Sequence, residues 1–203
     1  MLFRSLARAQ DHVVGKDQLR RSFGPGVASM EEFKARGAVF LQEDGRTDEL
    51  FIGIHYDQIL VATLEGQNPL VRLENSNLDA FCTLVEEVSH FHLILNRQSQ
   101  NRGVSKLELE WQGEIDKLLL CATLLEAQSG DLHLSPLAQL LFDSASIVSA
   151  NHETYWQATK HAARFWFAMA HREQGLTPKL REILRQSYQA PWTEKRAHLG
   201  RVA

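Results

Sequence analysis

The spacing of apolar residues changes near Asn77, from short runs to a repeat of three and four residues. That repeat places side chains on one face of an α-helix. It holds over five segments, which are residues 77–97, 105–127, 135–148, 152–173 and 178–188. Residues 135–173 can also form one continuous helix. Short connections between the segments favour antiparallel neighbours.

Before residue 70 the pattern predicts strands. Two short β-prone runs flank Asp44-Gly45, a dipeptide typical of tight turns, and together they predict a small hairpin. The stretch from Asp57 to Gly66 fits either a third strand or a short helix, because its apolar run is too short to show a period. The predicted fold class is mainly α, an antiparallel bundle of four to five helices with a small N-terminal β-hairpin portion.

Breaks in the pattern divide the chain into an arm, one domain and a tail. Pro25 stands between two glycines and favours a turn, which marks the end of the arm. The final residues are polar and partly basic, and we expect a solvated tail. The predicted boundaries are 1–27 for the arm, 28–189 for the domain and 190–203 for the tail, with a small α/β portion at 28–70 and a helical portion at 77–189.

Composition places the chain among ordinary globular proteins. Its 203 residues are 44% hydrophobic and 23% charged, with a formal net charge of -3, which does not favour a nucleic-acid partner. Since no apolar run approaches the roughly 20 residues that span a bilayer, we expect no membrane association. Cys82 and Cys121 each lie within a predicted helix, which favours reduced thiols and a cytoplasmic location over a disulfide framework.

Three predicted helices each carry an ionisable residue within their apolar stripe. The stripe of the first helix consists of Phe81, Leu84, Val85, Val88, Phe91 and Leu95, and His92 falls among them. Glu114 lies within the stripe of the second helix, and His161 lies among small alanines of segment 152–173. Because a buried, unpaired carboxylate is costly, Glu114 requires a partner or a wet opening. The pattern therefore directs His92, Glu114 and His161 toward a shared interior.

Four interpretations of these three residues stay open. In the first, a histidine donates to the Glu114 carboxylate in a buried network that rigidifies the bundle. In the second, the residues bind iron, manganese or zinc, metals that accept carboxylate and imidazole ligands. The third is metal-free acid–base chemistry by Glu114 with His92 or His161, and the fourth places all three at the surface. No phosphate-binding glycine loop, nucleophile elbow or dinucleotide motif accompanies them.

A second polar group lies on other sides of the first helix. Glu86 and His90 form an i, i+4 pair nearly opposite the stripe, and Glu87 lies at its flank. The sequence Glu87-Val88-Ser89-His90 resembles one half of the ferritin-like di-iron signature, which implies Glu87 and His90 as an alternative or additional set of metal ligands. That signature has a second Glu-x-x-His on another helix, and this chain has none, so the resemblance favours a mononuclear or vestigial site.

Function divides between two classes. A non-enzymatic binding or regulatory protein with a buried Glu/His network has more support, because no complete catalytic motif is visible. Aromatic residues surround segment 152–173, so that helix is either buried on two sides or docks a protein partner or another copy of the chain. We therefore expect a homo-oligomer or a protein partner. The alternative is a metal-binding carboxylate–histidine protein of the oxidoreductase type, and whether the protein is an enzyme stays open.

Overall fold

The computed structural model describes residues 36–44, 49–130, 133–143, 152–170 and 175–195. Within these ranges a two-stranded antiparallel sheet precedes a helical assembly. The mainly α class with a small N-terminal hairpin is therefore confirmed. The predicted arm, residues 1–27, lies outside the described residues, as does the stretch 144–150 that bears on whether 135–173 is one helix.

The hairpin consists of β1 (Gly37–Asp44) and β2 (Glu49–Tyr56), paired antiparallel with Gly37 opposite Tyr56. Helix α1 (Gln58–Gly66) follows directly. Its N-cap is Asp57, whose carboxylate accepts a hydrogen bond of 2.6 Å from the backbone amide of Leu60. Of the two predicted alternatives for this stretch, the helix is the one that forms. The Asp57 side chain stabilises it by accepting from a backbone amide of the first turn, which has no partner within the helix.

The longer helices follow the predicted segments closely. They are α2 (Asn75–Gln98), α3 (Lys106–Ser129), α4 (Leu134–Asp143), α5 (His152–Ala170) and α6 (Pro178–Gln189). Local chemistry sets several ends: the hydroxyls of Ser105 and Thr177 each accept a hydrogen bond of 3.2 Å from a backbone amide in the first turn of α3 and α6. Helix α3 stops at Gly130, whose φ of 68° glycine adopts without a steric penalty.

Two apolar cores lie on different sides of α2. The main core packs α2 against α3, α5 and α6 and includes Phe81, Val85, Trp111, Leu118, Ala158, Trp166 and Leu180. The second core packs α2 against the hairpin and α1 and includes Ile54, Tyr56, Leu60, Ala80, Val88 and Phe91. Leu95, which the periodicity places in the stripe, is 42% exposed. Helix α2 is thus covered over more of its circumference than a single apolar stripe indicates.

Residues 190–195 do not form a solvated tail. Trp192 packs edge-on against Trp111 with ring centroids 5.9 Å apart, and Lys195 is buried with its Nζ 3.3 Å from Glu108 Oε1. Arg97 donates to Glu108 at 2.7 Å and to the backbone carbonyl of Ala190 at 3.1 Å. The polar composition of this segment reflects ion pairing within the fold rather than solvation, and the rest of the predicted tail lies outside the described residues.

Burial lowers the pKa of Lys195 to about 8, although Glu108 acts in the opposite direction. Because an unfolded lysine has a pKa near about 10.4, the unfolded chain binds more protons between these values, and stability rises with pH across that window. The variant Lys195→Met lacks this titrating group and should not show this rise. From about pH 7.5 to about pH 9.5, the unfolding free energy of the parent should therefore increase by about 2 kcal/mol more than that of the variant. Urea unfolding at both pH values measures it, and a constant difference between parent and variant would contradict it.

Candidate metal centre between α2 and α3

The facing sides of α2 and α3 carry polar pairs along much of their length. Cys82 faces Cys121 with 3.9 Å between the sulfur atoms, and near the other end of the interface Arg97 lies 2.7 Å from Glu108. Between them Ser89 donates to Asp116 at 2.6 Å. The two helices therefore run antiparallel, and the side of α2 that helical periodicity assigns to solvent is covered by α3.

His90 lies near the middle of this interface and is 8% exposed. It faces Gly113 of α3, where a Cβ atom would lie 3.3 Å from His90 Nε2 and 3.2 Å from Glu86 Cγ. Both distances are tighter than most real Cβ contacts. The missing side chain at Gly113 thus leaves the room in which the imidazole and the Glu86 side chain lie against α3.

One group of three potential metal ligands is found in the part of the chain that the structure describes. It consists of Glu86, His90 and Glu110, each of which offers a ligand atom within 4.8 Å of the others. His90 Nε2 lies 3.5 Å from Glu110 Oε2. Two ligands of a tetrahedral ion with bonds of about 2.1 Å lie about 3.4 Å apart, so this pair is already at a ligand-to-ligand separation.

Two atoms of this group, His90 Nε2 and Glu110 Oε2, are buried and have no hydrogen-bond partner within the part of the chain that the structure describes. They face each other at 3.5 Å without forming a hydrogen bond, and the two residues are 8% and 5% exposed. An unsatisfied buried polar group costs about 1–3 kcal/mol. A cation between the two atoms would satisfy both at once.

Further polar groups orient both of these ligand candidates. His90 Nδ1 lies 3.6 Å from Glu87 Oε2, so the carboxylate of Glu87 stands behind the imidazole while Nε2 points to Glu110. The Tyr155 hydroxyl, from α5, donates to the Glu110 carboxylate. Metal-bound histidines generally have such a partner on the second ring nitrogen, which fixes the tautomer and the ring orientation. The surroundings of His90 and Glu110 match this arrangement.

Lys117 is the main cation next to the group. Its Nζ lies 2.9 Å from Glu86 Oε2 and 3.0 Å from Glu114 Oε1. Burial by itself raises the pKa of Glu86, but Lys117 together with His90 and Glu110 outweighs that effect, and the pKa is lowered overall. The pKa of Glu114 is raised, since burial outweighs its contact with the same ammonium group. Glu86 is therefore held as a carboxylate, the form that binds metal.

Glu110 has less compensation than Glu86. Burial raises its pKa to about 7, although His90 acts in the opposite direction. The pKa of His90 is raised as well, because Glu87 and Glu110 together outweigh the effect of burial. Burial thus disfavours negative charge at Glu110, and the uptake of a proton or of a metal ion would relieve that cost.

The structure does not bring His92, Glu114 and His161 together as ligands. His92 is half-buried on α2, edge-on to the ring of Phe91 with centroids 5.7 Å apart. Glu114 is buried, and the partner that its burial requires is supplied by Lys117 and by Thr159, whose hydroxyl donates to it at 3.2 Å. His161 is half-buried on α5. None of the three belongs to the ligand group found among the described residues.

The pair Glu87 and His90 divides between two roles. His90 belongs to the ligand group, whereas Glu87 lies behind it and packs against β1, where a Cβ at Gly37 would lie 2.7 Å from Glu87 Cγ. Sequence reasoning did not identify Glu86 and Glu110 as candidate metal ligands. The sequence does show the i, i+4 spacing of Glu86 and His90, but this spacing indicates a metal site only once α3 is known to lie opposite the pair.

Comparison of the chain with protein-family models, with curated proteins and with solved structures finds no match. Among the described helices, none combines the length and the apolar character that a bilayer crossing requires. The function is therefore inferred from the geometry of Glu86, His90 and Glu110.

Proposed function

We propose that this protein binds one divalent transition-metal ion through Glu86, His90 and Glu110, between α2 and α3. The observation that carries the proposal is the pair of buried atoms, His90 Nε2 and Glu110 Oε2, which face each other at 3.5 Å and have no hydrogen-bond partner among the described residues. A third ligand candidate, the carboxylate of Glu86, has an atom within 4.8 Å of both.

The ligand types indicate which metals fit. One imidazole and two carboxylates suit Fe(II), Mn(II) or Zn(II) rather than a soft ion, which would require sulfur ligands. Three protein ligands leave further coordination positions for water or a small molecule. With iron or manganese such a site supports redox chemistry, whereas with zinc it supports hydrolytic chemistry or a structural role.

Charge supports the same proposal. Four carboxylates, those of Glu86, Glu87, Glu110 and Glu114, lie in one network with the Lys117 ammonium group and the His90 imidazole. A divalent ion would stabilise the ionised form of these carboxylates in a region of low solvent access. Lys117 donates to Oε2 of Glu86, and the other oxygen of that carboxylate can then bind the metal.

A second candidate function is a protein-binding or regulatory role in which the Glu/His cluster is purely structural. It is favoured by the outer face of α5, where Trp156 and Phe167 are 42% and 37% exposed within the described chain. That face is the one predicted to dock a second copy or another protein, and exposed aromatic side chains are typical of docking surfaces.

The free thiols of Cys82 and Cys121 are consistent with the predicted cytoplasmic location.

The test is a titration of the chelator-stripped full chain with Zn(II), Mn(II) and, without oxygen, Fe(II). We expect one ion per chain, and a gain of about 2.7 kcal/mol in unfolding free energy at a metal concentration of about 100 times Kd. His90→Gln is expected to weaken binding about 100-fold or more, because it removes a ligand. Calorimetric titration and thermal unfolding supply the two measurements.

The matched control is His92→Gln, on the same helix but outside the group. We expect its metal affinity to stay within about 3-fold of the parent, since loss of a side chain that is no ligand leaves the coordination intact. Absence of binding by the parent for all three metals would overturn the proposal and leave the structural network. Loss of binding in His92→Gln with retention in His90→Gln would place the site elsewhere on α2.

A further inference from the structure

We propose that Cys82 and Cys121 form a reversible disulfide that links α2 to α3 when the protein meets a hydroperoxide. The sulfur atoms lie 3.9 Å apart, close enough for a weak S–H···S hydrogen bond in which either thiol is the donor. The chain contains two cysteines in all, so one intramolecular pairing exists. This inference goes beyond metal binding and does not depend on it.

The geometry is close to that of a bridge. Bond formation brings the sulfurs from 3.9 Å to about 2.0 Å apart, so each has to move by about 1 Å. Rotation of the side chains together with a small shift of either helix supplies such a displacement. The cysteines face each other at one level of an antiparallel pair of helices, and the neighbouring pair Glu86 and Lys117 keeps the two helices in this register.

The two thiols differ in exposure, and this difference assigns their roles. Cys121 is fully buried, whereas Cys82 is partly exposed. The hydrogen bond with Cys82, followed by burial, raises the pKa of Cys121, which makes it a poor first nucleophile toward an oxidant in solution. Cys82 is therefore the thiol that reacts first with a small oxidant, and Cys121 is the thiol that resolves the product.

The reaction balances with hydrogen peroxide as the oxidant. The Cys82 sulfur attacks one peroxide oxygen, so that an S–O bond forms, the O–O bond breaks and water leaves with one proton from the thiol. The Cys121 sulfur then attacks the Cys82 sulfenic acid, the S–S bond forms, and the hydroxyl group leaves as a second water with the Cys121 proton. The two thiols supply two electrons, and peroxide is reduced to two waters.

The experiment treats the folded, chelator-stripped full chain with hydrogen peroxide and maps its peptides without reduction. The chelator stays present, so failure of metal binding does not affect the result. We expect both thiols to be lost together, the mass to fall by two hydrogen atoms per chain, and the peptides of Cys82 and Cys121 to be linked. Dithiothreitol should restore both thiols.

Two variants separate the roles. In Cys121→Ser the Cys82 sulfenic acid has no resolving thiol, and dimedone is expected to trap it. In Cys82→Ser the buried Cys121 should stay a thiol for at least about ten times longer than Cys82 does in Cys121→Ser. Circular dichroism checks that each variant is folded, and the peptide map of the parent tests the bridge even where a variant is not.

Three results would overturn the inference. The first is a parent in which both thiols survive. The second is oxidation of Cys82 to sulfinic acid with Cys121 still reduced, and the third is linkage between chains instead of within one chain. Each would mean that the 3.9 Å separation of the sulfurs does not lead to an intramolecular bond.

Discussion

Glu110→Gln is expected to weaken metal binding about 100-fold or more while leaving the metal-free protein folded. The amide keeps the shape of the side chain and its hydrogen bond with Tyr155, but it no longer carries the negative charge that a divalent ion requires. Burial raises the pKa of Glu110 to about 7, above the about 4.3 of an unfolded glutamate, so its charge is a net cost to the metal-free fold at neutral pH, and its removal should raise stability by up to about 3 kcal/mol. Calorimetric titration and urea unfolding measure the two quantities.

Glu114→Gln is the matched control, because it makes the same change one turn further along α3. Glu114 is 7% exposed and Glu110 is 5% exposed, yet only Glu110 belongs to the ligand group in the described chain. We expect Glu114→Gln to keep the metal affinity within about 3-fold and not to lower stability at neutral pH, because burial raises the pKa of Glu114 and the amide oxygen can still accept from Lys117. If Glu114→Gln loses the metal and Glu110→Gln keeps it, the interior set His92, Glu114 and His161 is the site instead.

Arg97→Met is expected to cost about 3–5 kcal/mol of unfolding free energy, the largest stability change predicted for this chain. Arg97 is 1% exposed and donates to Glu108, at 2.7 Å, and to the backbone carbonyls of Tyr188 and Ala190, at 3.0 and 3.1 Å. The substitution leaves these buried acceptors with fewer donors, and Glu108 then keeps Lys195 as its remaining cation. Urea unfolding gives the change directly.

An exposed ion pair supplies the control for Arg97. Arg185 pairs with Glu182 on α6, and both side chains are largely in solvent. We expect Arg185→Met to change stability by less than about 1 kcal/mol. The single and double variants Arg97→Met and Glu108→Leu together measure the coupling between these two side chains. Equal effects of Arg97→Met and Arg185→Met would show that the buried pair adds no stability of its own.

The helices could be predicted from the sequence because their signals are local. Apolar spacing of three and four residues gives the extent of α2 and α3, and side-chain caps at Ser105 and Thr177 fix where α3 and α6 begin. The Asp44-Gly45 signal likewise predicts the antiparallel hairpin. Each of these features depends on residues a few positions apart, so a short segment of the sequence is enough to predict it.

The candidate site could be predicted only in part. Periodicity gives the angle of each side chain around a helix, but it does not give how many neighbours the helix has. If α2 had a single buried stripe, His92 would point inward and His90 outward. In the structure the hairpin and α3 cover different sides of this helix. His90 consequently lies against Gly113 and Glu110, and His92 is half-buried.

The sequence by itself therefore determined the helices, the hairpin and the supply of acidic and imidazole groups. The tertiary structure decided which of those groups meet. Gly113 lets α3 lie close against His90, and Arg97 reaches backbone carbonyls at the C-terminal end of α6. Both are contacts between residues far apart in the chain. Such contacts depend on the packing of whole helices. Several helix faces have similar patterns in the sequence, and hydrophobic burial and close packing decide which of them meet.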